Sequence, residues 1–586
     1  MYLRTLIVAG LASLIHANSK DLTIDLGYET YTGVHNQLSG LNIWRGIRYA
    51  AAPIGDLRFR GPVEPEITGN SAQADNFGPP CFQSTAIGVP YYPPNAIANE
   101  DCLFLNIYAP DGAKDLPVYV YIHGGGYGLG DGRQDLSALI NENENSFLGV
   151  SLNYRLGALG FLSSEDVKEN GVLNAGLLDQ QFALEWIQKN IHLFGGNKSE
   201  VTIYGISAGA GSVLHHSLAY GGTQGNKLFK NGMAASPWLS RQYKYNDDFP
   251  TSLYEQFARL SGCGEENDKL SCLRGKDNET LQRANNETNY AGPYGWWSFT
   301  PVIDGSFIQS LPSQQLFEKK EVNGQNMWVS YNADESPWFV PRTVATEEDL
   351  LDLLHVSFPH FDEDDIASIL EVYSLSEYGK NSSNPRLATA GDSGPTAVDV
   401  SPFAIGNQQR AYVIIAESSY HCPSYWLASS FTEDSAKSSY VHTYTNPPAL
   451  HGLDLYAYLG QSDGPPSLLG QPLPNQGPDF AHAWRRMLGA YIKTGSPNIP
   501  CGVAKNPHSD VLSNWPKWGE NRLVNFNQTG GTPTLEDVLG LHIWNITINN
   551  GPGLENAFRE VDAETWEGGR GKRCDFWKHM ASKVPM

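Results

Sequence analysis

Three apolar runs in the first half of the chain predict the buried strands of a parallel sheet. Residues 118–122 and 147–153 are almost continuously apolar, and residues 201–204 form a shorter run of the same kind. Strands that are apolar on both faces are typical of parallel sheets covered by helices. Residues 176–191 lie between the second run and the third, and they have the spacing of a helix with one apolar face. This succession of strand, helix and strand predicts parallel pairing through a crossover helix.

Weaker patterns predict further elements on both sides of this unit. The alternation at residues 22–31 indicates an early antiparallel hairpin, and residues 327–332 and 439–444 indicate two more strands, each followed by a polar loop. The acidic run at 362–365 predicts the start of a helix, where negative charge suits the helix dipole, with a metal site as the alternative. No linker, repeat or charge block divides the chain, so we expect one large α/β domain whose mostly parallel central sheet is flanked by helices and interrupted by long insertions.

The most specific chemical motif is the pentapeptide that contains Ser207. The sequence GISAG at 205–209 follows the apolar strand at 201–204 directly and precedes a helical pattern. A strand that turns into a helix within a few residues crowds its neighbours, so only small residues such as Gly205 and Gly209 fit beside the serine. The serine hydroxyl is exposed on a strained turn. In a glycine-rich loop the motif would be a chance match, but in this context it predicts a nucleophile elbow.

Two downstream loops supply an acid and a base for such a serine. A serine nucleophile needs a base to take its proton, and the base needs a carboxylate to orient it. The loop after residues 327–332 offers Asp334 and Glu335, and the residues alone leave both open. The loop after residues 439–444 offers His451, whereas His442 lies inside the strand pattern and is typical of a packed or surface histidine. Reactive residues gather at the carboxyl ends of strands in open α/β sheets, which is where these loops lie.

A run of glycines follows the strand at 118–122 directly. Residues 123–127 read HGGGY, which on their own would indicate a flexible turn. During acyl transfer, negative charge develops on the carbonyl oxygen of the substrate, and preorganised backbone N–H groups stabilise it. Beside a nucleophile elbow, the glycine run therefore predicts an oxyanion hole.

The first residues have the layout of a secretory signal peptide. Arg4 precedes an apolar run at residues 5–15, and small residues follow at Ala17 and Ser19. This run is too short to span a bilayer. We expect residues 1–17 to be a signal peptide and residues 18–586 to form the mature domain, secreted and without a stable membrane anchor.

The net charge and the cysteine content limit which binding partners and which cellular compartment we expect. The formal net charge of -23 repels nucleic acid and anionic lipid, so we expect neither as a partner. Secretion would place most of the seven cysteines in disulfides and leave one over. Six N-x-S/T sequons are typical of a glycosylated eukaryotic protein; they begin at Asn197, Asn278, Asn286, Asn381, Asn527 and Asn545.

Several longer segments resemble the secreted type-B carboxylesterase/lipase family, which includes cholinesterases and fungal lipases. Besides the elbow segment at 194–209, the family's second signature is present as EDCLFLNIYAP at 100–110. The similarity extends from about residue 22 to Trp577, with further matches at 45–50, 55–59, 153–155 and 301–305. The resemblance implies an α/β-hydrolase fold, ester hydrolysis through an acyl-enzyme and no metal or organic cofactor.

The resemblance also implies roles for individual residues. It makes Ser207 the nucleophile, Glu335 the acid and His451 the base, with oxyanion N–H groups from Gly125, Gly126 and Ala208. It further implies disulfides between Cys81 and Cys102, Cys263 and Cys272, and Cys422 and Cys574, leaving Cys501 free, and ion pairs of Arg58 with Glu100 and of Arg155 with Asp179.

The chain departs from the family at positions that select the substrate. Ile206 stands where many members have a glutamate before the nucleophile, and no tryptophan lies between Cys81 and Cys102 to hold a quaternary ammonium group, although Tyr91 and Tyr92 are present. The same loop contains Pro90, Pro93 and Pro94 and no amphipathic helical pattern, so it gives little support to a lipase-type flap. Trp297 resembles part of the acyl-pocket wall, with a core aromatic as the alternative, and Tyr127 is a second pocket candidate.

These observations predict a secreted serine carboxylesterase that acts on small uncharged esters. The first alternative is a lipase or sterol esterase that acts on lipid at an interface. A second, from another class, is a catalytically silent adhesion protein, which the intact set of Ser207, Glu335 and His451 opposes. The natural ester and the oligomeric state stay open.

Overall fold

An 11-stranded mixed sheet lies at the centre of the molecule. The computed structural model describes residues 22–89, 98–318, 321–376, 397–432, 434–459, 476–507, 509–538 and 542–584. In chain order the strands are β1 (Thr23–Asp25), β2 (Thr30–Thr32), β3 (Val34–Asn36), β4 (Leu41–Arg48), β5 (Ser71–Gln73), β6 (Phe104–Pro110), β7 (Leu116–Ile122), β8 (Leu148–Leu152), β9 (Gly196–Ile206), β10 (Asn231–Ala235), β11 (Asn326–Asn332), β12 (Ser438–Tyr444), β13 (Arg522–Phe526), β14 (Gln528–Asp537), β15 (Asn545–Asn556) and β16 (Arg559–Asp562).

The middle of this sheet is parallel and its two edges are antiparallel. The strand order is β16-β13-β12-β11-β10-β9-β7-β8-β6-β4-β3, and every neighbouring pair from β13 to β8 runs parallel. The predicted mostly parallel α/β sheet is therefore confirmed. The predicted direct pairing of β8 with β9 is wrong, because the crossover carries the chain past β7, which lies between them and pairs with both.

Helices cover both faces of the sheet, as the apolar strands require. They are α1 (Ser137–Glu142), α2 (Gly157–Phe161), α3 (Glu165–Asn170), α4 (Ala175–Asn190), α5 (Ala208–Leu218), α6 (Asp248–Leu260), α7 (Lys269–Arg274), α8 (Asn278–Tyr290), α9 (Pro312–Phe317), α10 (Glu347–Ser357), α11 (Glu363–Val372), α12 (Gly406–Ala416), α13 (Cys422–Ser430), α14 (Leu455–Leu459), α15 (Pro478–Thr494), α16 (Cys501–Ala504) and α17 (Trp566–Met580). None of the helices in these described ranges has the length and apolarity needed to cross a membrane.

Several local predictions are confirmed. The helix expected at 176–191 is α4, and the early hairpin is the antiparallel pair of β1 and β2. The acidic run at 362–365 begins α11, where Asp362 and Asp365 each accept a hydrogen bond from the other's backbone N–H. This reciprocal cap satisfies donors at the helix start, so the run is a helix N-terminus.

Three disulfides and the two predicted ion pairs, both of them buried, link segments of the described chain. The disulfides link Cys81 to Cys102, Cys263 to Cys272 and Cys422 to Cys574, and Cys501 is free and exposed. In the ion pairs, the closest nitrogen and oxygen atoms of Arg58 and Glu100, and of Arg155 and Asp179, are each 2.6 Å apart. The pairings that the resemblance implied are confirmed. The predicted signal peptide at 1–17, the prolines and tyrosines of 90–97 and the sequon at Asn381 lie outside the described residues.

Candidate active site

Ser207 occupies a strained turn between β9 and α5. Its backbone has φ 58° and ψ -124°, a conformation that residues with a side chain rarely adopt. Backbone hydrogen bonds hold it there: the Ser207 N–H donates to the Ala235 carbonyl over 2.9 Å, and the Trp238 N–H donates to the Ser207 carbonyl over 3.2 Å. The serine is half-buried at the carboxyl edge of the sheet.

The glycines on either side of the serine leave no space for a larger residue. A Cβ atom at Gly205 would lie 2.1 Å from the Gly209 carbonyl oxygen, and one at Gly209 would lie 2.2 Å from the Ile122 carbonyl oxygen. Both distances are far below van der Waals contact. The argument that only small residues fit at positions 205 and 209 therefore holds for this turn.

Glu335 and His451 lie in contact at the same edge of the sheet. His451 Nδ1 is hydrogen-bonded to Glu335 Oε2, and the Asn332 N–H donates to Glu335 Oε1 over 2.6 Å. Glu335 is fully buried, so its charge acts in a medium that screens poorly. Within the described ranges, the second ring nitrogen of His451, Nε2, has no hydrogen-bond partner. This arrangement leaves Nε2 available to take a proton.

No hydrogen bond joins Ser207 Oγ to His451 Nε2 among the described residues. Catalytic hydrogen bonds are often long in the absence of substrate. Two aromatic rings hold the imidazole in place, since the ring centroids of Phe339 and Tyr420 lie 5.1 and 4.8 Å from that of His451.

Two further buried carboxyl groups flank the pair, Asp334 and Asp454. Burial raises the pKa of Asp334 well above its usual range, and the nearby Glu567 and Glu335 raise it further. Both effects favour the neutral form of the Asp334 side chain. Burial likewise raises the pKa of Asp454 to about 6. Of the two neighbouring carboxyl groups that the sequence left open, the structure places Glu335 against the imidazole.

The glycine loop after β7 lies directly against the serine. A Cβ atom at Gly124 would lie 2.9 Å from the Ser207 Cβ atom. Gly125 and Gly126 have φ values of 108° and 64°, which glycine adopts without strain. In the described part of the chain their N–H groups have no acceptor, and the Ala208 N–H begins α5, where first-turn donors have no partner inside the helix. These three N–H groups can stabilise an oxyanion.

The indole of Trp297 packs on this loop. A Cβ atom at Gly126 would lie 2.1 Å from the indole, and one at Gly128 would lie 2.3 Å from it. The Trp297 Nε1–H donates to the Ser84 carbonyl over 3.0 Å, which fixes the ring. Trp297 thus limits the space beside the oxyanion N–H groups.

Two further residues from the sequence analysis are Tyr127, a candidate for the substrate pocket, and His442, the histidine that competes with His451. Both are packed inside the protein. Tyr127 is fully buried, with ring centroids 5.0 Å from Phe161 and 5.9 Å from Trp238, so it offers no surface to a substrate. The His442 ring stacks on Phe526 at 4.4 Å within β12. Of the two alternatives predicted for His442, a packed or a surface histidine, the structure shows the packed one.

Sequence reasoning missed Asn332 and Asp454. The amide Nδ2 of Asn332 donates to Asp454 Oδ1 and to Ser236 Oγ, over 3.1 Å each. Asn332 is the last residue of β11, and Asp454 lies in the loop after β12, but nothing in the residues alone showed this contact. As for metals, no group of three or more His, Cys, Asp or Glu side chains in the described ranges could hold an ion.

The chain is similar in sequence to known proteins. The model of the Carboxylesterase family matches residues 27–537. Lipase 2 of Geotrichum candidum is 29% identical over 528 residues, which cover 81% of this chain and 87% of that protein. Carboxylesterase patB of Aspergillus clavatus is 28% identical over 531 residues, covering 81% of this chain and 88% of that protein. Secreted lipase 4 of Gibberella zeae is 27% identical over 479 residues, covering 78% and 80%.

Solved structures share the fold. The crystal structure of Aspergillus niger EstA aligns with a TM-score of 0.77 and 26% identity, covering 97% of this chain and 99% of that chain. A PNB esterase aligns with a TM-score of 0.68 and 24% identity, covering 86% of this chain and 95% of that chain.

Proposed function

The chain belongs to the carboxylesterase family and is a carboxylic ester hydrolase, and on this premise we propose that it hydrolyses uncharged esters through an acyl-enzyme on Ser207. The observation that supports the proposal best is the buried Glu335 carboxylate against His451 Nδ1, with Nε2 left without a partner among the described residues, at the edge where the elbow presents Ser207. A nucleophile, a base and an orienting acid are thus supplied by three loops of one sheet edge.

In the proposed reaction, His451 Nε2 takes the proton of the Ser207 hydroxyl as the oxygen attacks the ester carbonyl carbon. The carbonyl oxygen becomes negatively charged and accepts hydrogen bonds from the N–H groups of Gly125, Gly126 and Ala208. The imidazolium, stabilised by Glu335, then donates its proton to the leaving alkoxide. Water repeats the sequence on the acyl-enzyme and releases the carboxylic acid, which restores Ser207.

The proposal of an uncharged substrate rests on Ile206. This side chain is 5% exposed and lies next to the nucleophile, where a carboxylate would attract a cationic substrate. A trimethylammonium group loses its hydration on binding, and a cation–π contact with a facing aromatic ring offsets this free-energy cost by only roughly 0.5 to 2 kcal/mol. An isoleucine side chain at this position does not offset the desolvation cost of a cation, whereas it packs well against a neutral alkyl group.

We expect 3,3-dimethylbutyl acetate, a neutral ester of the same shape, to have a kcat/KM at least equal to that of acetylcholine. Ile206→Glu should shift the ratio toward acetylcholine by about tenfold, and the matched neutral variant Ile206→Gln should leave it unchanged. Steady-state kinetics with both esters measure the ratio. If the wild-type enzyme preferred acetylcholine, another group would bind the cation, and the proposal of an uncharged substrate would fail.

A lipase is the second candidate, because relatives from Geotrichum candidum and Gibberella zeae bear that name. Lipases act on substrate that has separated from water, whereas esterases act on dissolved substrate. The position of Trp297 on the oxyanion loop favours dissolved esters of short acids, since the indole takes space that a long acyl chain would need.

We expect the rate on tributyrin to level off below the solubility limit, and kcat/KM on p-nitrophenyl esters to fall as the acyl chain lengthens. Trp297→Ala should raise the ratio of octanoate to acetate hydrolysis by about tenfold. Any damage to the oxyanion loop affects both esters and cancels in this ratio. Trp296→Ala, which removes the adjacent indole, is the control and should leave the ratio unchanged. A jump in rate when tributyrin forms droplets would favour the lipase.

We propose further that the protein is secreted. The disulfides, the signal-like pattern at 1–17 and the similarity to a relative named as a secreted lipase support this location. Small-molecule esters or lipids are the substrates that the family implies.

A further inference from the structure

A single π-helical turn faces the loop that carries Glu335. The turn comprises Glu417–His421 and joins α12 to α13 without interruption. Such turns are rare and are found mostly at functional sites, because the extra residue shifts the side chains that follow it. Here the turn places Tyr420 against the His451 ring and His421 against the end of β11.

Among the described residues, the His421 side chain makes one hydrogen bond, and it is with the backbone of Asn332. The His421 Nε2 atom lies 2.9 Å from the Asn332 carbonyl oxygen. A carbonyl can only accept, so Nε2 carries the proton and donates it. The ring is fully buried, and burial lowers its pKa well below the usual range, with Arg570 lowering it further. His421 is therefore a neutral donor whose tautomer is fixed by this bond.

Asn332 connects this donor to the proposed acid. The same residue that accepts from His421 at its carbonyl donates from its N–H to Glu335 Oε1 over 2.6 Å. Its side chain holds Asp454 and Ser236. Asn332 is thus held at its carbonyl, its N–H and its side-chain Nδ2, whereas its Oδ1 has no hydrogen-bond partner among the described residues. Its N–H is one of the two contacts described for the Glu335 carboxylate, the other being His451 Nδ1.

We propose that His421 is a positioning residue for the hydrolytic reaction: by holding the Asn332 carbonyl, it fixes the Asn332 N–H that aims the Glu335 carboxylate at His451. The inference rests on the proposed roles of Ser207, Glu335 and His451. His421 touches no substrate and transfers no proton in the reaction. Its contribution is geometric, and a displacement of about 1 Å in such a support can cost about a hundredfold in rate.

An ion pair and a disulfide link the two ends of the π turn to α17. At its first residue, Glu417 accepts hydrogen bonds from Arg570 Nε over 3.1 Å and from Arg573 Nη2 over 2.7 Å, with both partners buried. Just beyond its last residue, Cys422 is bonded to Cys574. The turn therefore cannot relax into ordinary α-helix without breaking a buried ion pair, which would be costly.

Two variants of His421 separate positioning from packing. His421→Phe keeps a ring of similar size but has no donor, whereas His421→Gln places an amide N–H close to the position of Nε2. We expect the Phe variant to lose about 10- to 100-fold in kcat with KM changed less than about twofold, and the Gln variant to recover to within about threefold of the wild type. Labelling of Ser207 by a fluorophosphonate should slow by the same factor as kcat.

His442→Phe is the matched control, since His442 is another fully buried histidine and its ring nitrogens have no hydrogen-bond partner in the described ranges. It should lower the melting temperature without changing kcat in the folded enzyme. If His421→Phe does not fold, His421→Asn replaces it, because the shorter amide reaches only the Nδ1 position and should lose kcat in the same way.

Two results would overturn the inference. One is a folded His421→Phe enzyme with wild-type kcat, and the other is a Gln variant no faster than the Phe variant, which would make the role one of packing. Failure of the proposed function would give a different result from failure of this inference, because the fluorophosphonate would then not label the wild-type enzyme either.

Discussion

Ser207→Ala is expected to abolish ester hydrolysis, with kcat/KM lowered by about 10⁴-fold or more. The change removes only the hydroxyl. Alanine accepts the φ of 58° about as readily as serine does, and the backbone bonds to Ala235 and Trp238 remain, so the fold should be kept. Hydrolysis of p-nitrophenyl acetate, covalent labelling by a fluorophosphonate and circular dichroism together measure the effect.

The control for this experiment is Ser212→Ala, which removes a buried hydroxyl from the same helix, α5. That variant should retain most of the activity and all of the labelling. Residual hydrolysis by Ser207→Ala on the order of a tenth of the wild-type rate would contradict the assignment of the nucleophile, because loss of a nucleophile costs many orders of magnitude.

The second large effect is expected at Glu335, and not at its neighbour. Glu335→Gln should lower kcat by about 10⁴-fold, because an amide can neither fix the Nδ1–H tautomer of His451 nor stabilise the imidazolium. Asp334→Asn should change kcat by less than about threefold. Burial raises the pKa of Asp334 and favours its neutral form, so we expect replacement by a neutral amide of the same shape to perturb the charge of the site little.

The two variants are a matched pair, since each replaces one carboxyl group by an amide of the same size in adjacent residues. Steady-state kinetics at neutral pH with a single ester suffice to compare them. A larger loss for Asp334→Asn than for Glu335→Gln would exchange the two assignments and would leave the contact between Glu335 and His451 without a catalytic role.

The features that the sequence predicts well are those set by a few adjacent residues. The turn at Ser207 requires glycine at 205 and 209 because the backbone passes within about 2 Å of where their side chains would be. The strands at 118–122 and 201–204 are recognisable because burial on both faces leaves almost continuous apolar runs. Local steric and burial rules of this kind hold wherever the segment is placed in the fold.

The features that the sequence does not predict depend on which distant segments meet. The insertion of β7 between β8 and β9 is a choice of strand order, and the apolar runs are equally compatible with either order. The bond from His421 to Asn332 joins residues 89 positions apart through a π turn that has no periodic pattern. Tyr127, beside the oxyanion glycines in the chain, points into the protein, which only the path of the folded loop determines.

The attachment of the π turn to α17 has a consequence for the order of synthesis. Cys422 and Cys574 are separated by 152 residues. At about 5 to 20 residues per second, roughly 8 to 30 seconds pass between their synthesis. Ser207 and Glu335 precede Cys422 in the chain, and His451 follows it by 29 residues, so all three are present for most of that interval. The partners of Glu417, Arg570 and Arg573, are made only at its end, and until then the turn that carries His421 is not anchored. If His421 has the proposed positioning role, we expect efficient hydrolysis to begin only after the ribosome has released α17 and the helix has docked.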